Sequence, residues 1–400
     1  KNLYLVNSSI EYIENKKQQT VKNISLRFQH NDNSKSKLVG EFYFKNKKIN
    51  FNYNTKISNN DIEFKGNFNS AFYDINNSGK YNFALNEGDL SVEGLLKKNL
   101  IDKKNDLKLG AYINIKKKNL QINNIKIAFK DTILDGKGII KIEGNKTNIL
   151  TDFYIDYIDI SKFYPSETFK VKERSINANK KEKKIKKIKL EEKKRNIFEI
   201  SKNIILNSSL SAKKIIYKDI ELHNTEINLS KKKDIIITMK AENFFKSKVS
   251  SKFIINKNMQ YNVYFYFKNL ELASLNKFYN INLIRGNLNI ETNLEGKLDK
   301  SEKFYYTATG SSSLLGNEII INNINLIAFK KNIKKLNSLN QIKEAKKTLL
   351  VGDTNIGALK IKLLHKNEII NLPLTKLKSE DEIFSISGEY NMKTNNIELK

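Results

Sequence analysis

The stretch Leu288-Asn289-Ile290-Glu291-Thr292-Asn293-Leu294 shows most clearly which fold class the sequence favours. Apolar or small side chains alternate with polar ones along its whole length. Because successive side chains of a β-strand point to opposite faces, this alternation predicts a strand with one buried and one solvated face, as is typical of antiparallel sheets. The same alternation recurs at Tyr81, Phe83 and Leu85, at Ile125, Ile127 and Phe129, at Gly138, Ile140 and Ile142, and at Phe253 and Ile255.

Turn-forming clusters separate these runs, for example at residues 76–79, 86–89, 143–146 and 256–258. Helical spacing is confined to Leu336, Leu339, Ile342, Ala345 and Leu349, which predict one amphipathic helix near 333–348. Residues 160–164 and 270–279 are expected to form single helical turns. The predicted fold class is therefore all-β: an elongated, twisted antiparallel sheet that curls into a groove or an open barrel.

A charged segment divides the chain. Residues 170–195 carry 13 Lys and Arg against four Glu, and such a run has too few apolar side chains to build a core. We interpret residues 166–196 as a Lys-rich linker or insertion, with a weak helical stripe on a membrane surface as the alternative. The predicted domains are an N-terminal β-rich domain over 1–165 and a C-terminal β domain over 197–400.

The formal charge of +29 raises the possibility of a nucleic-acid partner, but the type of base argues against it. Only four of the 72 basic residues are Arg, the side chain that clamps phosphates and reads guanine edges. The chain is rich in Lys and Asn and has two Pro and no Trp, a composition typical of A/T-rich coding sequence. We expect no nucleic-acid partner, and the lysines can attract anionic lipid.

The sequence contains no recognisable catalytic or metal-binding motif. It has no cysteine, and His30, His223 and His365 lie far apart with no supporting motif. Asp131 and Asp135 lack the spacing of a calcium loop, and Gly310-Ser311-Ser312-Ser313 lacks the second glycine and the nearby base of a nucleophile elbow. We expect a protein that is not an enzyme and that uses no cofactor and no metal.

The order of segments in the C-terminal half resembles the C-terminal region of the AsmA-like family of bacterial envelope proteins. The resemblance covers about 200 residues and is weaker over 1–165. It is carried by Leu210-Ser211-Ala212, Ile220-Glu221-Leu222-His223-Asn224, Ser250-Ser251-Lys252-Phe253, Ile284-Arg285-Gly286-Asn287-Leu288, Leu294-Glu295-Gly296-Lys297-Leu298, Gly352-Asp353-Thr354 and Ile386-Ser387-Gly388-Glu389-Tyr390. The chain departs from the family at Lys233-Asp234 and Asn367-Glu368, where the family tends to have Asp-Gly or Asn-Gly turns.

The resemblance implies a body in the periplasm of a Gram-negative bacterium and a role in outer-membrane biogenesis. It further implies attachment to the inner membrane through an anchor upstream of Lys1, and partners among envelope proteins. Relatives of this kind conduct phospholipid along a hydrophobic β-sheet groove, so the resemblance implies that phospholipid acyl chains are the ligand.

Alternating apolar side chains are the candidates for the lining of such a groove: Tyr81, Phe83, Ile140, Ile142, Phe253, Ile255, Phe265, Phe267, Leu288, Ile290 and Leu294. The pattern alone does not separate a groove from the dry core of a closed sandwich or barrel. The alternative function is accordingly a passive structural β scaffold of the envelope without a lipid ligand.

Overall fold

The computed structural model describes residues 2–14, 17–31, 34–44, 47–97, 107–162, 203–217, 220–280, 282–298, 306–335, 339–379 and 382–400. It divides into two compact units, unit 1 (Lys1–Leu210) and unit 2 (Ser211–Lys400). The boundary between them falls inside one strand. The segment 166–196, interpreted from the sequence as a linker, lies outside the described residues, and the domain bounds of 1–165 and 197–400 remain predictions.

The described residues of unit 1 form eleven complete strands that pair antiparallel with their neighbours in sequence. They are β1 (Asn2–Glu14), β2 (Lys17–His30), β3 (Lys35–Phe44), β4 (Lys47–Ser58), β5 (Asp61–Asn69), β6 (Tyr73–Asn82), β7 (Glu87–Leu96), β8 (Leu107–Lys116), β9 (Asn119–Phe129), β10 (Thr132–Glu143) and β11 (Lys146–Asp159). A 3₁₀ turn at Ile160–Lys162 follows β11. Among these described strands, pairing leaves the sheet of unit 1 open.

The next strand, β12 (Ile204–Tyr217), crosses from unit 1 into unit 2. Where the structure describes unit 2, ten further strands lie wholly within it: β13 (Ile220–Lys231), β14 (Ile235–Phe244), β15 (Ser247–Ile255), β16 (Gln260–Glu271), β17 (Ile284–Lys297), β18 (Thr309–Ile321), β19 (Thr354–Lys366), β20 (Ile369–Ser379), β21 (Glu382–Asn391) and β22 (Asn396–Leu399). Strands make up 76% and helices 8% of the structure, so the prediction of an all-β antiparallel fold is confirmed.

The asparagines of the sequence have a clear structural use in the connections between strands. Asn59, Asn86, Asn367 and Asn395 all adopt positive φ angles, between 48° and 59°. Asparagine tolerates this left-handed conformation better than other residues with a side chain, because its short amide bonds to the local backbone. The tight connections can therefore form without the Asn-Gly or Asp-Gly pairs that commonly build hairpins.

The described residues of unit 2 form three short helices: α1 (Leu272–Tyr279), α2 (Leu326–Ile333) and α3 (Leu339–Leu349). The helix expected near 333–348 is thus preceded by a second one. The helix α2 begins before the predicted start near residue 333 because Asn325 caps its first turn: the Asn325 Oδ1 accepts a hydrogen bond from the Ala328 backbone N–H at 2.8 Å. The expected turn at 270–279 corresponds to α1, and the one at 160–164 to the 3₁₀ turn over its described residues. The turn expected at 76–79 was wrong, because these residues lie inside β6 and pair with β5 and β7.

Candidate functional site

Cross-strand register gathers the apolar side chains of unit 1 onto one side of its sheet. One row of directly paired residues crosses nine consecutive strands, from β3 to β11, and every member is apolar: Gly40, Phe51, Phe68, Ile75, Gly94, Leu109, Ile127, Leu134 and Ile155. We call the side that bears this row the apolar face of unit 1 and the opposite side its polar face. Because paired residues share a face, the row is a continuous apolar track across the strands.

Glycines on the apolar face of unit 1 accommodate aromatic rings from the neighbouring strand. A Cβ atom added to Gly136 would lie 2.5 Å from the ring of Phe153, its paired residue on β11. The ring therefore covers the glycine and fills the space that a side chain would take. When an aromatic residue pairs with a glycine, its ring covers the position where the glycine has no side chain, and the apolar surface is not interrupted there.

The apolar face of unit 1 is only half-buried. Ile155 at one end of the row is buried, whereas the eight residues before it remain partly accessible. Within the described residues of unit 1, the 3₁₀ turn at Ile160–Lys162 is the sole helical element, and no second layer of strands covers this face. Half-buried aliphatic and aromatic groups still have apolar surface to place against a ligand.

A second row of unit 1 contains two of the sequence-derived candidates. Tyr81 on β6 and Ile140 on β10 both belong to the row Ile62, Tyr81, Gly88, Ile115, Leu120, Ile140 and Ile149. Ile142 lies on the same face two residues further along β10 and is more exposed.

Phe83 does not belong to the apolar face, although the sequence alternation includes it. The strand β6 ends at Asn82, whose side-chain Oδ1 accepts a hydrogen bond from the Leu85 backbone N–H at 2.9 Å. This local turn removes Phe83 from the strand and leaves it 56% exposed. Its ring meets that of Tyr81 edge-on, with centroids 5.4 Å apart.

Unit 2 also has one apolar side, although its rows are less uniform. One row crosses β14 to β21 and contains Ile237, Phe253, Val263, Leu294, Gly310, His365, Ile370 and Tyr390. A second row on the same face contains Ala241, Val249, Phe267, Ile290, Leu314 and Ile361, and one further row lies between the two. We call this side the apolar face of unit 2. The candidates Phe253, Phe267, Ile290 and Leu294 lie in these two rows, and Ile255 and Phe265 lie on the same face.

Two separate apolar clusters form among the residues of unit 2 that the structure describes. The first contains Leu270, Leu272, Leu288, Ile319 and Ile356, so that the first residue of α1 packs against the strands. The second contains Tyr261, Val263 and Ala308, with Phe253, Ile255, Phe265 and Leu294 packed against it. Leu288 is 6% exposed within the first cluster and is a core residue, whereas Leu294 is only partly buried. The candidate set from the sequence therefore mixes core and accessible positions.

A polar trio lies on the apolar face of unit 2, in and beside the row that pairs Phe265 with Thr292 and Thr292 with Ser312. The hydroxyl oxygens of Thr292 and Ser312 are 2.8 Å apart, and the Ser312 hydroxyl is 2.8 Å from His365 Nε2. Burial lowers the pKa of the His365 imidazole, which favours its neutral form. With its proton on Nδ1, the neutral imidazole can then accept a hydrogen bond at Nε2 from the Ser312 hydroxyl.

The expectation that Ser312 has no nearby base was wrong. Ser312 and His365 are 53 residues apart in sequence, and only the pairing of β18 with β19 brings them together. Ser312 is 5% exposed, and no carboxylate of a described residue bonds to the imidazole. The trio therefore satisfies its own buried polar groups, as buried hydroxyl and imidazole groups require.

Another polar group at the apolar face of unit 2 is Lys231, at the end of β13. It pairs with Ile235 and is buried, and this burial lowers the pKa of its ammonium group.

The other two histidines have different neighbours. His223 Nε2 lies 3.2 Å from Glu221 Oε2 on a partly exposed surface, and His30 Nδ1 lies 2.8 Å from the Ser36 hydroxyl. The three histidines are thus in three different environments.

The described residues contain no group of three or more His, Cys, Asp or Glu side chains placed to hold a metal ion. Nor is any helix among them both long enough and apolar enough to cross a membrane. Comparison of the chain with protein-family models, with curated proteins and with solved structures finds no match in any of the three.

Proposed function

We propose that this chain is a non-enzymatic protein of the bacterial envelope that carries phospholipid acyl chains along the apolar face of its sheet. The observation that supports this proposal is the row of nine apolar residues from Gly40 to Ile155, which crosses nine strands of unit 1 without a polar member. The row is half-buried and is not covered by another described layer of unit 1. A surface of this kind suits an apolar chain that moves across the strands.

The energetic argument is simple. An acyl chain of about 16 carbons exposed to water costs roughly 12 kcal/mol, at about 0.8 kcal/mol for each methylene group. A continuous apolar row removes much of this cost at every position along it. The free energy of the bound chain then changes little from strand to strand, and sliding needs no chemical energy from this chain. The headgroup remains in water, where lysine side chains attract its phosphate.

The cellular setting follows from the resemblance to AsmA-like proteins and is part of the same proposal. We place the chain in the periplasm of a Gram-negative bacterium, attached to the inner membrane by a segment upstream of Lys1. In that position an acyl-chain carrier supports outer-membrane biogenesis, in contact with other envelope proteins.

A second candidate function is a passive structural β scaffold without a lipid ligand. The observation that favours it is the packing of unit 2, where Leu288 and Tyr261 are buried in two apolar clusters. There the apolar side chains already contact one another. The two candidates differ in whether apolar side chains that remain accessible in unit 1 bind a ligand.

The test compares two variants with the same added charge on adjacent residues of β9. Ile125 is half-buried on the apolar face, and Asn124 is exposed on the polar face. Protein expressed in a Gram-negative host is purified, its lipid is extracted and quantified, and transfer of a fluorescent phospholipid between vesicles is measured.

We expect phospholipid to co-purify with the unmodified chain and with Asn124→Asp, and Ile125→Asp to lose both bound lipid and transfer at least tenfold. The reason is that an unpaired carboxylate against an acyl chain costs several kcal/mol, with about 1.4 kcal/mol for each factor of ten. Circular dichroism shows whether both variants fold. Folded protein that carries no phospholipid before mutation supports the structural scaffold instead.

A further inference from the structure

The polar face of unit 1 contains a large concavity that the lipid proposal does not use. Its volume is about 1080 Å³, and residues from β2 to β8 line it. This volume lies just above the usual range of small-molecule binding pockets, about 300–1,000 Å³. The site is therefore large enough for a ligand longer than a single headgroup.

A row of paired polar residues crosses this concavity. Its members after Gln29 are Lys37, Asn54, Lys65, Ser78, Ser91 and Tyr112, one from each strand from β3 to β8. We call these six residues the basic cradle. At about 4.8 Å between strands, the cradle is roughly 24 Å long, and its two lysines are about 10 Å apart.

Positive charge is in excess around the cradle. Lys35, Lys37, Lys56, Lys65 and Lys80 line the concavity, against two carboxylates, Glu63 and Asp89. Lys80 lies 3.5 Å from Asp61 and 3.7 Å from Glu63, so its charge is partly neutralised.

The other four lysines are exposed and form no ion pair with a described residue. Their ammonium groups are available to an anionic ligand, and the concavity places them around a common space.

We propose that the basic cradle binds a linear anionic oligosaccharide. Lys37 and Lys65 donate to acidic groups. Asn54 between these lysines, and Ser78 and Ser91 beyond Lys65, exchange hydrogen bonds with sugar hydroxyls. Tyr112, 42% exposed at the end of the row, offers an aromatic face on which a sugar ring can lie. Two ammonium groups separated by one neutral polar group, with further neutral polar groups beyond them, fit a ligand whose anionic groups are separated by hydroxyl-bearing units.

Other polyanions fit the cradle less well. Single-stranded nucleic acid is bound through successive aromatic platforms, whereas the cradle has one tyrosine and no arginine. A membrane presents its anionic headgroups on a nearly flat surface, which meets the rim of a concavity rather than its base. A narrow, flexible, hydroxyl-rich chain can enter and follow the row.

The test uses the whole chain and fluorescence anisotropy with four labelled probes: a short sulfated dextran oligosaccharide, neutral dextran of the same length, a single-stranded oligonucleotide of the same charge, and anionic phospholipid vesicles. The double variant Lys37→Gln/Lys65→Gln removes the cradle charges. Its matched control is Lys126→Gln/Lys137→Gln, which removes two exposed lysines from the polar face of the same unit outside the cradle.

A second pair of variants isolates the aromatic contact. Tyr112→Ala removes the ring at the end of the cradle, and Tyr154→Ala removes an exposed tyrosine from the polar face at β11. The tyrosine pair leaves the net charge unchanged, so it tests stacking on the ring independently of charge.

We expect the sulfated oligosaccharide to bind and neutral dextran not to bind. The cradle double variant and Tyr112→Ala should each weaken binding by about tenfold, and the two controls by less than about twofold. Equal losses of affinity in the cradle and control variants would show that the oligosaccharide is attracted non-specifically to the many lysines of the chain, and would overturn the proposal. Tighter, cradle-dependent binding of the oligonucleotide or of vesicles would overturn it in favour of that ligand. The outcome is independent of acyl-chain binding, which concerns the opposite face.

Discussion

Leu288 and Leu294 lie on the same strand six residues apart, and their environments predict different responses to the same substitution. Leu288 is 6% exposed among Leu270, Leu272, Ile319 and Ile356. Replacement by Ala leaves a cavity between these side chains, so Leu288→Ala should lower the free energy of unfolding by about 2–5 kcal/mol. Leu294 is only partly buried, and Leu294→Ala should lower it by about 1 kcal/mol, roughly half the transfer free energy of three carbon groups.

The assay is urea denaturation followed by circular dichroism, because the chain has no tryptophan for fluorescence. Both residues belong to unit 2, so their effects are compared on the same transition, and an unchanged dependence on urea shows that the variants unfold from the same kind of folded state. Equal losses at the two positions would refute the distinction between core and accessible positions, and Leu294 would then belong to a closed core.

Three further substitutions test individual parts of unit 2. Folding favours the neutral form of His365, so the protein should be most stable above a pH of about 6.5, the ordinary pKa of histidine, and should lose stability as the pH falls below that value toward the lowered pKa of the folded state. His365→Gln should remove this pH dependence of the free energy of unfolding between about pH 7 and 5. An unchanged pH dependence in urea denaturation would contradict the assignment. Thr225 is 1% exposed and its hydroxyl bonds to no described residue, so Thr225→Val should raise the free energy of unfolding by about 1 kcal/mol, whereas a loss would mean that the hydroxyl has a partner. Gly310 has a φ of +151° and a Cβ there would clash with the Asn293 carbonyl oxygen, so Gly310→Ala should cost about 1–3 kcal/mol in thermal denaturation, and a neutral effect would contradict the backbone conformation.

The sequence predicted the fold class because the period of two in its apolar residues is a local property of each strand. The same pattern correctly grouped residues such as Tyr81 and Ile140, since any two strands paired in register keep alternate side chains on common faces. It was wrong for Phe83, because the Asn82 side chain turns the backbone before the alternation in the sequence ends. A side-chain hydrogen bond of this kind is local, and the turn-forming cluster at 86–89, just after Leu85, was a sign of it.

Features that depend on contacts between distant residues could not be predicted. Alternation gives Leu288 and Leu294 the same pattern, and only the packing of Leu272 from α1 identifies Leu288 as core. The contact of Ser312 with His365 depends on the register of β18 with β19. In the sequence, the lysines of the basic cradle are indistinguishable from the general excess of lysine, because no spacing shows that Lys37 and Lys65 share a concave surface.

The most direct test of the proposed acyl-chain path is a crosslinking scan along β9. A photoreactive benzophenone amino acid is placed singly at Ile125, Lys126, Ile127 and Ala128, which alternate between the apolar and the polar face. After irradiation in cells, phospholipid attached to the purified protein is measured by mass spectrometry. We expect phospholipid adducts at positions 125 and 127 and none above background at 126 and 128. Adducts at none of the four positions, or at all four equally, would contradict the claim that the apolar face carries acyl chains.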